Sequence, residues 1–193
     1  MLQGFRLTGL ALCLATAPAW GLAQQSRLTP DRPDFSVTLN GTPVTIARTG
    51  AACPPACIQP MQAASGIVTI GELELLDFLD LFVSTGSGLL VDTRRPERYG
   101  AETLPGAVNV PAATLAPGNP YRGDLLEALG ARGSDFSGAY DLVLFAEGPD
   151  ASAAPESLRS LAEAGYPTEK LKYYRGGLRD WTALGLTTTA GAQ

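Results

Sequence analysis

Three cysteines, Cys13, Cys53 and Cys57, and no histidine make up the thiol and imidazole inventory of this 193-residue chain. Histidine is the commonest general base near neutral pH and the commonest metal ligand. Its absence excludes Ser-His-Asp hydrolases, Cys-His proteases, His-ligated zinc enzymes and zinc deaminases. Thiol chemistry remains open. Cys53 and Cys57 stand in the run Cys53-Pro54-Pro55-Ala56-Cys57, and three readings fit that spacing. In an oxidising compartment two such cysteines form a structural disulfide, with a modest entropic gain because the closed loop is so short. A short strained disulfide can instead be redox-active or relay sulfur. A Cys-x-x-x-Cys pair can also bind copper, but Met61 is the only further soft ligand beyond the initiator methionine. No cofactor is implied.

The 14 basic and 19 acidic residues leave a net charge of −5. That balance argues against a chain that grips phosphate backbones, so nucleic acid is not an expected partner. At the N-terminus, Arg6 precedes an apolar run over residues 7–17, and Gly21 and Ala23 are small residues where a signal peptidase reads. Residues 1–23 are therefore expected to be a signal peptide, and the protein to be exported, to the periplasm in a bacterium. The apolar run is shorter than the roughly 20 residues that span a bilayer, so no stable membrane insertion is expected after cleavage. Cys13 follows Leu12, which is not the small residue a lipoprotein signal requires. The remaining 170 residues suit one domain with its own core.

These residues must be positioned by the elements around them. Residues 24–66 read as an N-terminal extension with a polar leader, a β-hairpin and the Cys53/Cys57 segment. In the hairpin Phe35, Val37 and Leu39 alternate with polar residues, as do Val44 and Ile46, on either side of the turn pair Asn40-Gly41. Thr69 and Glu72 have capping-box spacing ahead of Leu73, Leu76, Phe78, Leu79, Phe82 and Val83, which predicts an amphipathic helix ending near Gly86. Strands follow at 88–92, 107–110, 140–145 and 171–174, with helices at 124–129, 155–164 and 177–184, the second of these with Pro155 at its first position. Short strands separated by helices imply an α/β fold with a parallel sheet flanked by helices on both faces. In such sheets sites form at the carboxyl ends of the strands, here the loops 93–106, 146–154 and 175–178. Residues 188–193 are expected to be a flexible tail.

Those loops carry a resemblance. Val91-Asp92-Thr93-Arg94 followed by Leu104-Pro105-Gly106-Ala107-Val108-Asn109-Val110-Pro111 resembles the first signature of the rhodanese (thiosulfate sulfurtransferase) family, and Tyr174-Arg175-Gly176-Gly177 with Trp181 resembles its closing signature. The likeness spans residues 67–187 and is greatest to an exported subgroup. It implies the rhodanese-like fold and a reaction in which one cysteine after the third of these strands takes sulfur from a donor such as thiosulfate as a persulfide. Backbone N–H groups of its loop and the following helix N-terminus stabilise the charge. In the subgroup the loop reads approximately Cys-Asn-Gly-Pro-Trp-Cys-x-x-Ser-Pro. Here the corresponding residues are Ala146, Glu147, Gly148, Pro149, Asp150, Ala151, Ser152, Ala153, Ala154 and Pro155. Alanine occupies both cysteine positions.

Three further departures accompany this. Glu147 and Asp150 add carboxylates that oppose an anionic ligand; Ala154 replaces the serine expected as helix N-cap; and Thr103 stands where many members have histidine. Asp92 and Arg94 read as loop-bracing residues or site contacts, and Arg175 as a brace for loop carbonyls or a contact to an anion or partner. Trp181, with Leu178 and Leu184 at helical spacing, reads as packing, and Tyr173 and Tyr174 as opposite faces of one strand. The resulting expectation is an exported rhodanese-like protein lacking sulfurtransferase activity and acting as a binding or accessory module, with an envelope protein as its possible partner. The alternative is sulfur transfer or thiol redox chemistry through Cys53 and Cys57.

Overall fold

The computed structural model describes residues 28, 31–48, 50 and 57–192. The expected signal peptide and Cys53 lie outside them. The hairpin pairs β1 (Asp34–Leu39) with β2 (Thr42–Ala47), antiparallel, with Val37 opposite Val44. Asn40 and Gly41 both take positive φ, 50° and 79°, as a two-residue type I′ turn requires. Phe35, Val37, Leu39, Val44 and Ile46 thus share one face, much of it exposed.

The main body is a five-stranded parallel sheet. Its strands are β3 (Val68–Ile70), β4 (Gly88–Asp92), β5 (Ala107–Asn109), β6 (Asp141–Phe145) and β7 (Leu171–Tyr174), in the spatial order β3-β7-β6-β4-β5. Along β6 the side chains alternate between two cores. Leu142 and Leu144 join Leu158, Leu161, Tyr166 and Tyr173 on one face, while Val143 and Phe145 join Phe78, Tyr174, Leu178 and Trp181 on the other. A sheet buried on both faces accounts for the uninterrupted apolar run.

Helix α1 (Glu72–Phe78) runs on into a π-helical turn, Leu79–Val83, and Gly86 at φ 72° ends the segment. Its N-cap is Gly71, whose N–H donates to Glu74 Oε2 at 3.0 Å. This corrects the Thr69/Glu72 capping box: Thr69 belongs to β3 and its hydroxyl donates to the Met61 carbonyl. The buried stripe shifts with it, to Leu75 and Phe78, and leaves Leu73 and Leu76 exposed. Helices α2 (Pro96–Ala101), α3 (Ala112–Leu115) and α4 (Arg122–Ala128) precede β6; α5 (Ala153–Glu163) and α6 (Gly177–Ala183) follow β6 and β7. Helix α5 starts two residues before Pro155, so the proline is third rather than first.

Residues 188–192, expected to be flexible, are docked. Thr189 and Thr103 exchange backbone hydrogen bonds of 2.7 and 3.0 Å, and the Gly191 N–H donates to the Tyr99 carbonyl at 3.2 Å. Among the described residues no helix is long and apolar enough to cross a membrane.

Candidate functional site

Strands β4, β5 and β6 end side by side, and the loops that leave them meet. β4 delivers Asp92, fully buried. Its Oδ1 accepts from the Arg94 N–H (2.9 Å) and Nε (3.0 Å), and its Oδ2 from Arg94 Nη2 (2.7 Å) and the Thr103 hydroxyl (2.8 Å). Arg94 Nη2 also donates to the Glu102 carbonyl at 2.5 Å. Asn109 ties the two strand ends together by donating to the carbonyls of Asp92 and Arg94, both at 2.9 Å. Burial opposes the charge on Arg94, but Asp92 and then Glu147 outweigh it and raise its pKa above the ordinary value.

β6 delivers the loop 146–152. Ala146 is buried in the core face shared with Leu142 and Leu144. The loop's carbonyls are held by the start of α6: Leu178 N–H donates to Ala146 O at 3.1 Å and Arg179 N–H to Glu147 O at 2.9 Å. Gly177 makes this approach possible. It sits at φ 63°, and a Cβ there would run into the Ala146 carbonyl oxygen and come within 2.8 Å of the Gly148 nitrogen. Farther along, Ala151 N–H donates to Gly148 O at 3.0 Å. Ser152 stands at the N-cap of α5, with no hydrogen bond from its side chain to the cap, and Ala154 lies inside the helix rather than at its cap.

The two loop carboxylates are both paired with arginine. Glu147 Oε2 accepts from Arg94 Nη1 at 3.2 Å, with the Glu147 side chain 43% exposed. Asp150 accepts from Arg179 Nη1 at 2.8 Å and from Arg48 Nη2 at 3.2 Å. Burial disfavours the Asp150 carboxylate, yet Arg179 and then Arg48 hold its pKa below the usual range.

Two of these contacts come from the extension, and the sequence pattern contains no sign of them. Arg48 follows the hairpin, and the Gln59 N–H donates to the Pro149 carbonyl at 2.9 Å. Arg175 is drawn into the same seam: its Nε and Nη2 donate to the Gln59 carbonyl at 3.2 and 2.9 Å. The Cys57 carbonyl, two residues before, accepts from Gln59 Nε2 at 2.8 Å. No cluster of residues suited to hold a metal occurs among the described residues.

An open cleft of about 310 Å³ lies over these strand ends, lined by Arg94, Arg95, Arg98 and Glu147 above small apolar residues that include Pro111 and Ala153. The packing expected of Leu178 and Trp181 is met, whereas Leu184, at the C-cap of α6, is exposed rather than packed. Trp181 is buried, with its indole N–H donating to the Thr187 carbonyl at 2.8 Å, and Tyr173 and Tyr174 enter opposite cores. The Tyr173 hydroxyl, buried and without a hydrogen-bond partner among the described residues, has its pKa pushed up to about 12 by burial.

The chain is 31% identical over 107 residues to an HTH-type transcriptional regulator of Mycobacterium tuberculosis; the match takes in 55% of this chain and 40% of that protein, so it spans about two fifths of the relative's length. Among solved structures, the fold is similar to a thiosulfate sulfurtransferase from Pseudomonas aeruginosa (TM-score 0.50, 22% identity, 69% of this chain and 22% of that one). It is similar also to a Bacillus halodurans protein (TM-score 0.50, 17% identity, 64% of this chain and 77% of that one). The rhodanese-like domain model matches residues 76–184, more than half of the chain, and the protein belongs to the rhodanese-like domain family.

Proposed function

We propose that this is an exported rhodanese-like protein without sulfurtransferase activity of its own, a binding or accessory module for a protein partner in the cell envelope. The observation that carries this reading is Ala146 at the carboxyl end of β6, the position of the nucleophilic cysteine in the family's reaction. Sulfur transfer requires a thiolate to attack the donor sulfur, and the Ala146 methyl has no lone pair to offer. Ala151 repeats the loss at the loop's second cysteine position. The test is thiosulfate:cyanide sulfurtransferase activity of the purified mature protein. Turnover is expected at the level of a heat-treated blank, and clear turnover above it overturns the proposal.

One observation favours a second reading, sulfur or redox chemistry at Cys53 and Cys57. Gln59, two residues after Cys57, rests on the loop at Pro149. Mass spectrometry after exposure to a persulfide donor and a mild reductant distinguishes the readings. Uptake of sulfur or a reversible redox couple at these cysteines favours the second, and inertness favours a structural disulfide.

A further inference from the structure

We infer that the arginine-lined cleft at the ends of β4 and β5 is a docking site for an acidic, extended peptide segment of a partner protein. The inference rests on the reading of the chain as a binding module and names the chemistry of its partner.

The first support is charge. In a chain of net charge −5, Arg94, Arg95 and Arg98 line one cleft. Arg94 is committed to Asp92 and Glu147, whereas Arg95 and Arg98 are exposed and have no ion-pair partner among the described residues. The second support is that the cleft already binds a carboxylate. Glu147 reaches into it and rests on Arg94 at 3.2 Å through a half-exposed side chain, which makes Glu147 an internal model of the ligand and a competitor for it.

Spacing selects the kind of ligand. Arg95 is the N-cap of α2, with an extended ψ of 150°, and Arg98 lies in the helix's first turn, so the two guanidinium groups leave the backbone at separate points along the cleft. Alternate side chains of an extended strand lie about 6.6 Å apart on one side. Two carboxylates in the pattern acidic-x-acidic thus meet two separate guanidinium groups, a match that one small tetrahedral anion does not make. Below the arginines, Pro111, Ala112, Ala113 and Ala153 form a floor of small apolar side chains. It gives room to a peptide backbone and asks for no hydrogen bonds in return.

The probe is a fluorescein-labelled peptide Gly-Glu-Ala-Glu-Ala-Gly, titrated with the full mature protein at low and at moderate salt and followed by fluorescence anisotropy. Saturable binding is expected that weakens as salt rises. The double variant Arg95→Ala/Arg98→Ala is expected to lose at least tenfold in affinity, while Glu147→Gln gains several-fold because Arg94 is released. Both variants alter exposed side chains, and unchanged thermal melts establish that they fold. Failure of the wild type to bind at low salt overturns the inference, as does equal binding by the Gln-for-Glu peptide. Competition by sulfate or succinate at the peptide's own affinity also overturns it, in favour of a small-anion site. The sulfurtransferase assay is independent of all these outcomes, so loss of this inference leaves the missing nucleophile where it stands.

Discussion

Two carboxylates near the ends of adjacent strands, Asp92 closing β4 and Asp150 in the loop after β6, are each gripped by arginine, and they are gripped in different ways. Asp92 is fully buried and takes five hydrogen bonds from Arg94 and Thr103, both within 11 residues of it in the chain. Asp150 is held by Arg48, 102 residues before it, and by Arg179, 29 residues after it, and the Arg179 side chain is 52% exposed. The first arrangement is a local, dehydrated bracket that sets the shape of the strand ends. The second is a long-range clasp at the surface that holds the loop against the extension. A buried charge with its partner removed is costly, whereas an exposed pair contributes little, so the bracket governs whether the domain folds and the clasp governs how the loop is dressed.

The largest expected effect follows from breaking the bracket. Asp92→Ala leaves Arg94 buried without its main counter-charge and the Thr103 hydroxyl without its acceptor, at a cost of about 3–5 kcal/mol. Urea unfolding is expected to show that loss. A change below about 1 kcal/mol would mean that Glu147 and the Glu102 carbonyl satisfy Arg94 by themselves, and would erase the contrast drawn between the two carboxylates.

How much of this was legible in the sequence follows the same division. The bracket is sequence-local, and the Asp92-Thr93-Arg94 run with the Leu104-Pro105-Gly106 stretch identified both the family and the strand ends. The apolar runs of β4, β6 and β7 were readable because a strand buried on both faces has no polar alternation to obscure it. β3 was missed because Val68-Thr69-Ile70 is only three residues long and Thr69 sits three before a glutamate, the spacing of a helix cap. That misreading displaced the helix start by two residues and assigned Leu73 and Leu76, in place of Leu75, to the core. The clasp left no local trace. Nothing in the composition around Arg48 or Gln59 indicates a partner at 149–150, since such contacts exist only once the extension has folded back on the loop.

An intermediate effect is expected at the junction between loop and helix. Gly177→Ala places a side chain at φ 63° against the Ala146 carbonyl, and the strained backbone alone costs about 1–3 kcal/mol. Because Leu178 and Arg179 donate to the same loop, the variant is expected both to melt earlier and to lose amide protection at those two residues. Earlier melting with full protection retained would place the damage elsewhere in α6 and separate the loop from its proposed support.

The smallest effect tests the clasp and is a pH dependence. The folded-state pKa of Asp150 lies below its ordinary value of about 3.9. Its pairing therefore stabilises the protein fully above that value and is lost as the pH falls through the lower folded-state value. Asp150→Asn removes the charge at every pH and is expected to cost about 1 kcal/mol or less near neutrality, as a partly exposed ion pair should. The stability gap between the variant and the wild type should then close as the pH drops from 5 toward 3, because the protonated wild-type side chain can no longer attract Arg48 and Arg179. The Gln59 amide, which donates to Pro149 beside it, should lose protection over the same range. A gap that stays constant across the titration would show that Asp150 acts through hydrogen bonding that an amide reproduces, and that the clasp differs from the bracket in exposure but not in kind.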